Sequence, residues 1–223
     1  MNRNKEIFEF LSNLERNNNR DWFQGNKAYY DELRAAWVSD VERLLQKMSE
    51  YDESLRGVNV KDCIYRIYRD VRFSNDKSPY KTYFSTVLGR GGRKDKGSLY
   101  YLHMQPGASG LYGGLWCPQP DILNVLRREI DGNIEEFLKV IEDKKFSMFY
   151  NFAGESLKTM PKGYPREHPY GEYIKMKEYL LEHKCPDSYF TEGDWVEKAA
   201  RDFRIMKPFH DFMNFAIEDM GLV

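Results

Sequence analysis

The chain has 223 residues, 41% hydrophobic and 31% charged, with a formal net charge of -1. That length suits one large domain or a domain with a modest appendage. A charge so near zero argues against whole-surface attraction to nucleic acid or an anionic membrane, and no run approaches the ~20 apolar residues of a membrane span.

Residues Lys5 to Glu15 form the first predicted helix, with Ile7, Phe8, Phe10, Leu11 and Leu14 on one side at three- and four-residue spacing. Asn17, Asn18 and Asn19 stop it, because Asn favours caps and turns over helix interiors. DWF at 21–23 starts the next element. A long helix follows from Lys27 to Met48, carrying the stripe Tyr30, Leu33, Trp37, Val41, Leu44, Leu45 and Met48. Such a stripe packs a core in preference to a cofactor, and Gly57 closes the loop before the first strand.

From Cys63 to Phe73 the pattern turns to period two, which predicts a strand. Tyr65, Ile67, Val71 and Phe73 point one way with Arg69 among them, and Arg66, Tyr68, Asp70 and Arg72 point the other. Arg69 on the apolar face needs a carboxylate or carbonyls, since an unpaired buried charge is costly, and Asp76 is a candidate partner if the chain folds back. Ser74 to Pro79 is turn-rich, with Lys77 and Lys81 adding mobile positive charge beside the arginine forks. Residues 61–96 hold ten Lys or Arg against four Asp, a local balance of +6, while residues 1–60 stand at -2 and residues 97–223 at -5. Anion attraction is therefore focused on this part of the chain. The expected ligand-contacting set is Arg66, Arg69, Asp70, Arg72, Asp76, Lys77, Tyr80, Lys81 and His103.

Alternation resumes over Thr82 to Leu88. GRGGRKDKG at 89–97 matches neither GxGxxG nor GxxxxGK[ST] and predicts a basic hairpin loop. Strands follow at Ser98–Met104 and Gly110–Trp116, turned by Pro106 and Gly107, with Gly113 and Gly114 expected to mark a bulge or a close backbone approach. His103 shares a strand with Leu99 and Tyr101.

The run RIYRDVRFSNDKSPYKTYF, with FLSNLERNNNRDWF before it and YYLHMQPGASGLYGGLWCPQP after it, resembles a bacterial family of about 220 residues known as domain of unknown function 2461. The likeness covers nearly the whole chain. It implies a single α+β domain and brings no activity, substrate or cofactor with it.

The C-terminal part is mainly helical: Pro120 to Ile130 with a mixed face that includes Leu123, Leu126 and Arg127, then Ile134 to Ile141. Residues 142–170 form an irregular crossing dense in turn formers, with His168 in a loop. Tyr173 to Leu181 is expected as a modest helix, His183 and Cys185 as part of a polar turn, and Ser188 to Thr191 as a brief edge strand. Asp194 caps a final helix striped by Trp195, Ala199, Phe203, Met206, Phe209, Phe212 and Met213 and widened by Phe215, which Pro208 should kink or divide.

The expected architecture is thus α+β, a curved, mainly antiparallel sheet packed against N-terminal and C-terminal helices. Residues 1–223 make one domain, with a helical part at 1–60, central strands at 61–118 and a mainly helical part at 119–223. Cys63, Cys117 and Cys185 are isolated and odd in number, which suits a reducing cytoplasm. There is no HExxH, no GxSxG elbow and no Walker or dinucleotide loop, and neither a metal site nor a cofactor is expected. Three classes of function stay open: a domain that binds a small phosphorylated or carboxylated molecule, an enzyme acting on such an anion with Asp70 or His103 moving a proton, and a nucleic-acid or protein-interaction module using loop 89–97 beside Tyr100, Tyr101 and Tyr112. The first is preferred, with nucleic acid not favoured, no membrane partner and the oligomeric state open.

Overall fold

The computed structural model describes residues 3–219 and 221. In the N-terminal stretch, α1 (Asn4–Arg16), α2 (Arg20–Gly25) and α3 (Lys27–Met48) follow one another closely, and the short α4 (Val60–Cys63) comes before the first strand. The strands are β1 (Phe84–Leu88), β2 (Leu99–Met104) and β3 (Ser109–Leu115). Then come α5 (Pro120–Gly132), α6 (Ile134–Ile141), α7 (Lys144–Phe149), the two-residue β4 (Asn151–Phe152), α8 (Gly171–Ile174), β5 (Tyr179–Cys185), α9 (Ser188–Thr191) and α10 (Trp195–Asp219). The five strands make one antiparallel sheet in the order β1-β2-β3-β5-β4, with Asn151 opposite Glu182 and Phe152 opposite Leu181.

The α+β class and the antiparallel sheet with N- and C-terminal helices agree with the sequence. The expected curvature does not. The sheet is open, with β1 and β4 as its end strands, and it is neither curled nor closed. The glycines that could have bent it serve close packing. A Cβ on Gly113 would lie 2.0 Å from the Met206 sulfur, and one on Gly114 (φ 100°) would lie 1.9 Å from the Tyr179 carbonyl oxygen.

Two compact units can be distinguished. The first comprises Met1–Arg93, Tyr101–Leu111 and Lys184–Arg201, the second Lys94–Tyr100, Tyr112–His183 and Asp202–Val223. In the first unit the whole predicted stripe of α3, from Tyr30 to Met48, is buried, and full burial of a side chain of that size stabilises by ~2 kcal/mol. Trp37 stacks on Trp195 with centroids 5.7 Å apart and planes 9° from parallel. Asn19 caps α2 by accepting from the Trp22 N–H, so the asparagine run ends one helix and starts the next. In the second unit the core gathers Leu126, Ile130, Phe137, Phe146, Phe203 and Phe209.

Four local expectations are revised. Tyr179–Cys185 is a strand: Tyr179, Leu181 and Cys185 are buried in alternation, and the bare Gly114 backbone receives the Tyr179 carbonyl. Ser188–Thr191 is a helical turn, closed by the Thr191 and Glu192 N–H groups bonding to Asp187 and Ser188. Helix α10 runs undivided past Pro208, whose neighbours Met206, Phe209 and Met213 are fully buried and hold it in place. Phe215 does not widen its apolar stripe but faces solvent.

Candidate functional site

Cys63 ends α4, and the residues after it do not form the ladder strand that period two predicts. The chain runs out from Ile64 and returns through Lys81, touching at two isolated antiparallel bridges, Ile64 with Thr86 and Tyr68 with Tyr80. Three backbone bonds support them: Tyr65 N–H to Ser85, Lys81 N–H to Ile67, and Arg69 N–H to Pro79. The first has a register two residues away from the other two, so pairing cannot continue as a regular ladder. Ile67 is buried, but Tyr65 is exposed and Phe73, expected to face inward, is 96% exposed at the loop tip.

The loop consumes most of its own charge. Asp76 is its hub. One oxygen accepts from the Ser78 N–H at 2.9 Å and the Ser78 hydroxyl at 2.6 Å, and the other pairs with Arg69, whose guanidinium also donates to the Ser78 carbonyl at 3.2 Å. The Ser78 bonds, and then Arg69, pull the Asp76 carboxyl down to about 2. Arg72 grips Asp70 with both arms of its fork, at 3.0 and 2.6 Å, which pulls that carboxyl down to about 2 as well. Lys77 donates to the Val71 carbonyl at 3.0 Å. Tyr80 is held from outside: the Asn18 amide bonds both its carbonyl and its N–H, and its ring stacks on Phe23 at 4.0 Å.

Arg66 and Lys81 remain. Neither side chain has a hydrogen bond or ion pair to another described residue. Lys81 Nζ lies 5.2 Å from the Tyr65 ring centre and 5.8 Å from that of Tyr83, within the range of cation–π attraction. Burial lowers its pKa, and the positive charge of Arg66 lowers it further. His103 packs against the same Tyr83, with ring centroids 4.3 Å apart and planes tilted by 38°. Its Nδ1 is 3.1 Å from the Tyr101 hydroxyl and its Nε2 is 2.9 Å from Gln105 Oε1. An amide oxygen accepts only, so Nε2 carries the proton and Nδ1 accepts from the phenol. Burial lowers its pKa, disfavouring the charged form of the ring.

Of the nine residues expected at a ligand site, the structure therefore leaves Arg66 and Lys81 open as cations, with His103 on the neighbouring wall. It places Arg69, Asp70, Arg72, Asp76 and Lys77 in the loop's internal network and Tyr80 in the packing beneath it. Tyr83 was not singled out from the sequence, although its alternation with Ser85 and Val87 was visible. The basic loop after β1 is docked: Arg93 donates to the Lys61 and Ile64 carbonyls, and a Cβ on Gly92 would lie 2.6 Å from the Asp62 carbonyl oxygen. In the second unit Cys117, the single non-glycine residue with positive φ among those described (48°), sits with its Sγ 3.8 Å from Glu178. Burial, followed by that carboxylate, raises its pKa, which disfavours a thiolate nucleophile. Among the described residues no group of three or more His, Cys, Asp or Glu could hold a metal ion, and no helix is long and apolar enough to cross a membrane.

Comparison with known proteins gives one match. A family model described as a conserved hypothetical protein (DUF2461) covers residues 6–212. No curated protein and no solved structure matches the chain.

Proposed function

The chain belongs to the DUF2461 family, and on that premise we propose that it binds a small phosphorylated or carboxylated molecule through Arg66 and Lys81, in the cytoplasm. One observation carries this reading. In a loop where Arg69 and Arg72 each hold a carboxylate and Lys77 a carbonyl, these two cations hold none. The partial burial of Lys81, with the repulsion between it and Arg66, makes an oxyanion the favourable neighbour: it would offset both effects on the lysine's pKa. The rings of Tyr65 and Tyr83 give a ligand an apolar wall, in keeping with small-molecule sites that combine aromatic lining with a few convergent polar groups. Three isolated cysteines, none in a disulfide, accord with a cytoplasmic setting.

A thermal-shift screen of phosphorylated and carboxylated metabolites tests the proposal. A selective stabiliser of the unaltered protein should lose its effect in Arg66→Ala and in Lys81→Met. It should keep its effect in Arg72→Ala, because Arg72 is already held by Asp70. A screen without a selective stabiliser, or one whose hits depend on Arg72 instead of Arg66 and Lys81, would refute it.

A further inference from the structure

The end of α3 and the loop that leads from it to α4 enclose a cleft in the first unit. Its volume is about 560 Å³, in the range of small-molecule sites. Leu45 on α3 and Leu55 in the loop line it and are buried, and Val58 and Val60 add half-buried apolar surface. The loop is fixed by its own bonds. Asp52 Oδ1 accepts from the Ser54 N–H at 3.1 Å and from the Ser54 hydroxyl at 2.7 Å. The Val58 N–H reaches the Leu55 carbonyl at 3.3 Å, and Asn59 Oδ1 accepts from the Lys61 N–H at 3.0 Å as α4 begins. Between them Gly57 turns the chain with a φ of 75°, a conformation that glycine adopts without strain. The wall of the cleft is thus formed before any ligand arrives.

The polar groups along this cleft favour one sign of charge. Among the described residues that line it, Glu42 alone is charged, and its carboxylate has no hydrogen bond or ion pair to another described residue. A partner on its own helix face would stand three or four residues away, where the sequence has Val38, Ser39, Leu45 and Gln46. The cations next to lining residues do not serve it either. Arg43 is held by Asp40 and Asp194, Lys47 by Glu197 and Arg56 by Glu53, while Lys61 is exposed and does not line the cleft. The Gln46 side-chain amide and the carbonyls of Gly57 and Val58 also make no hydrogen bond to another described residue, which adds acceptors to the same lining. Ser49, which ends the 22-residue α3, lines the cleft too, so the negative end of that helix dipole lies there. A solitary glutamate on a helix is ordinarily just solvated. This one borders a pre-formed apolar floor, among acceptors, with no cation supplied by the chain.

We infer that the cleft is a site for a small organic cation, which sets an ammonium group on Glu42 and lays an apolar body on Leu45, Leu55, Val58 and Val60. The site takes the opposite charge from the one at Arg66 and Lys81 and does not rest on it.

A two-dimensional NMR titration of the nitrogen-15-labelled chain with hexylammonium, benzylammonium, hexanol and hexanoate at equal ionic strength provides the test. Each ammonium should shift the backbone amides of Gln46, Gly57, Val58 and Asn59 saturably. Hexanol, of matching shape without the charge, should bind about tenfold more weakly, and hexanoate should give no saturable shift. Glu42→Gln should weaken the ammonium by about tenfold. The Glu42 side chain is exposed, and the variant's own spectrum verifies that it folds. Arg66→Ala should leave the affinity unchanged, which separates the two sites. Absence of saturable shifts with both ammonium compounds overturns the inference, as do shifts confined to other amides. So does binding of hexanol as tight as that of hexylammonium, or an affinity undiminished in Glu42→Gln.

Discussion

Asp70 and Asp76 show how a short acidic side chain can spend the charge of a basic segment locally. Each organises a loop of its own sequence neighbours: Asp70 holds Arg72, while Asp76 holds Ser78 and Arg69. Both carboxyls are depressed from 3.8 to about 2. A depressed carboxyl contributes stability that is fully present above its unfolded value and disappears as pH falls through its folded value. The loop should therefore keep its order down to about pH 4 and lose these contacts between about pH 4 and pH 2. Carbon-13 titration of the two side-chain carboxyls checks this, and midpoints near 4 for both would show that the contacts do not persist in solution. The consequence for recognition is direct. A count of cations from Arg66 to Lys81 overstates the charge available to a ligand, and only Arg66 and Lys81 stay uncommitted.

Strand β3 depends on two residues without side chains. Gly114 combines a φ of 100°, unfavourable for any other residue, with a Tyr179 carbonyl lying where a Cβ would stand. Gly107, in the turn between β2 and β3, has a φ of 70° and open space around it. Gly114→Ala should therefore cost on the order of 3 kcal/mol and Gly107→Ala about 1 kcal/mol, as measured by urea denaturation; equal costs would mean that the close approach to β5 is not maintained. The same pair of strands marks where sequence patterning succeeds and where it stops. The α3 stripe was legible because one helix face repeats every three or four residues and no partner is needed to see it. Tyr179–Cys185 was not, because Leu180, Glu182 and Lys184 have good helix propensity and the reason for extension lies at Gly114, far away in sequence. The Cys63–Phe73 run showed a strand's alternation, yet the chain folds back, bringing Asp76 to Arg69, the pairing its sequence offered, and Asp70 to Arg72, which it did not single out.

Across the whole chain, the thiols report on packing. Cys63 and Cys185 are buried and Cys117 is exposed, and burial raises Cys63 to about 11. Native protein should alkylate at one site per chain, slowly at neutral pH because the Cys117 thiol is itself raised, and at three sites after denaturation. Peptide mapping of the labelled protein checks the assignment, and early labelling of Cys63 would contradict the packing around α4. The sheet's two ends carry a different consequence. An unpaired strand margin can recruit another chain and seed aggregation, a hazard that grows when net charge is near -1 and electrostatic repulsion between molecules is weak. Here the outer margin of β1 is partly occupied by Ile64 and Tyr65, which bond to Thr86 and Ser85, and β4 offers a newcomer only two rungs. The irregular segment that withholds a sixth full strand thereby also denies intermolecular strand addition a flat template.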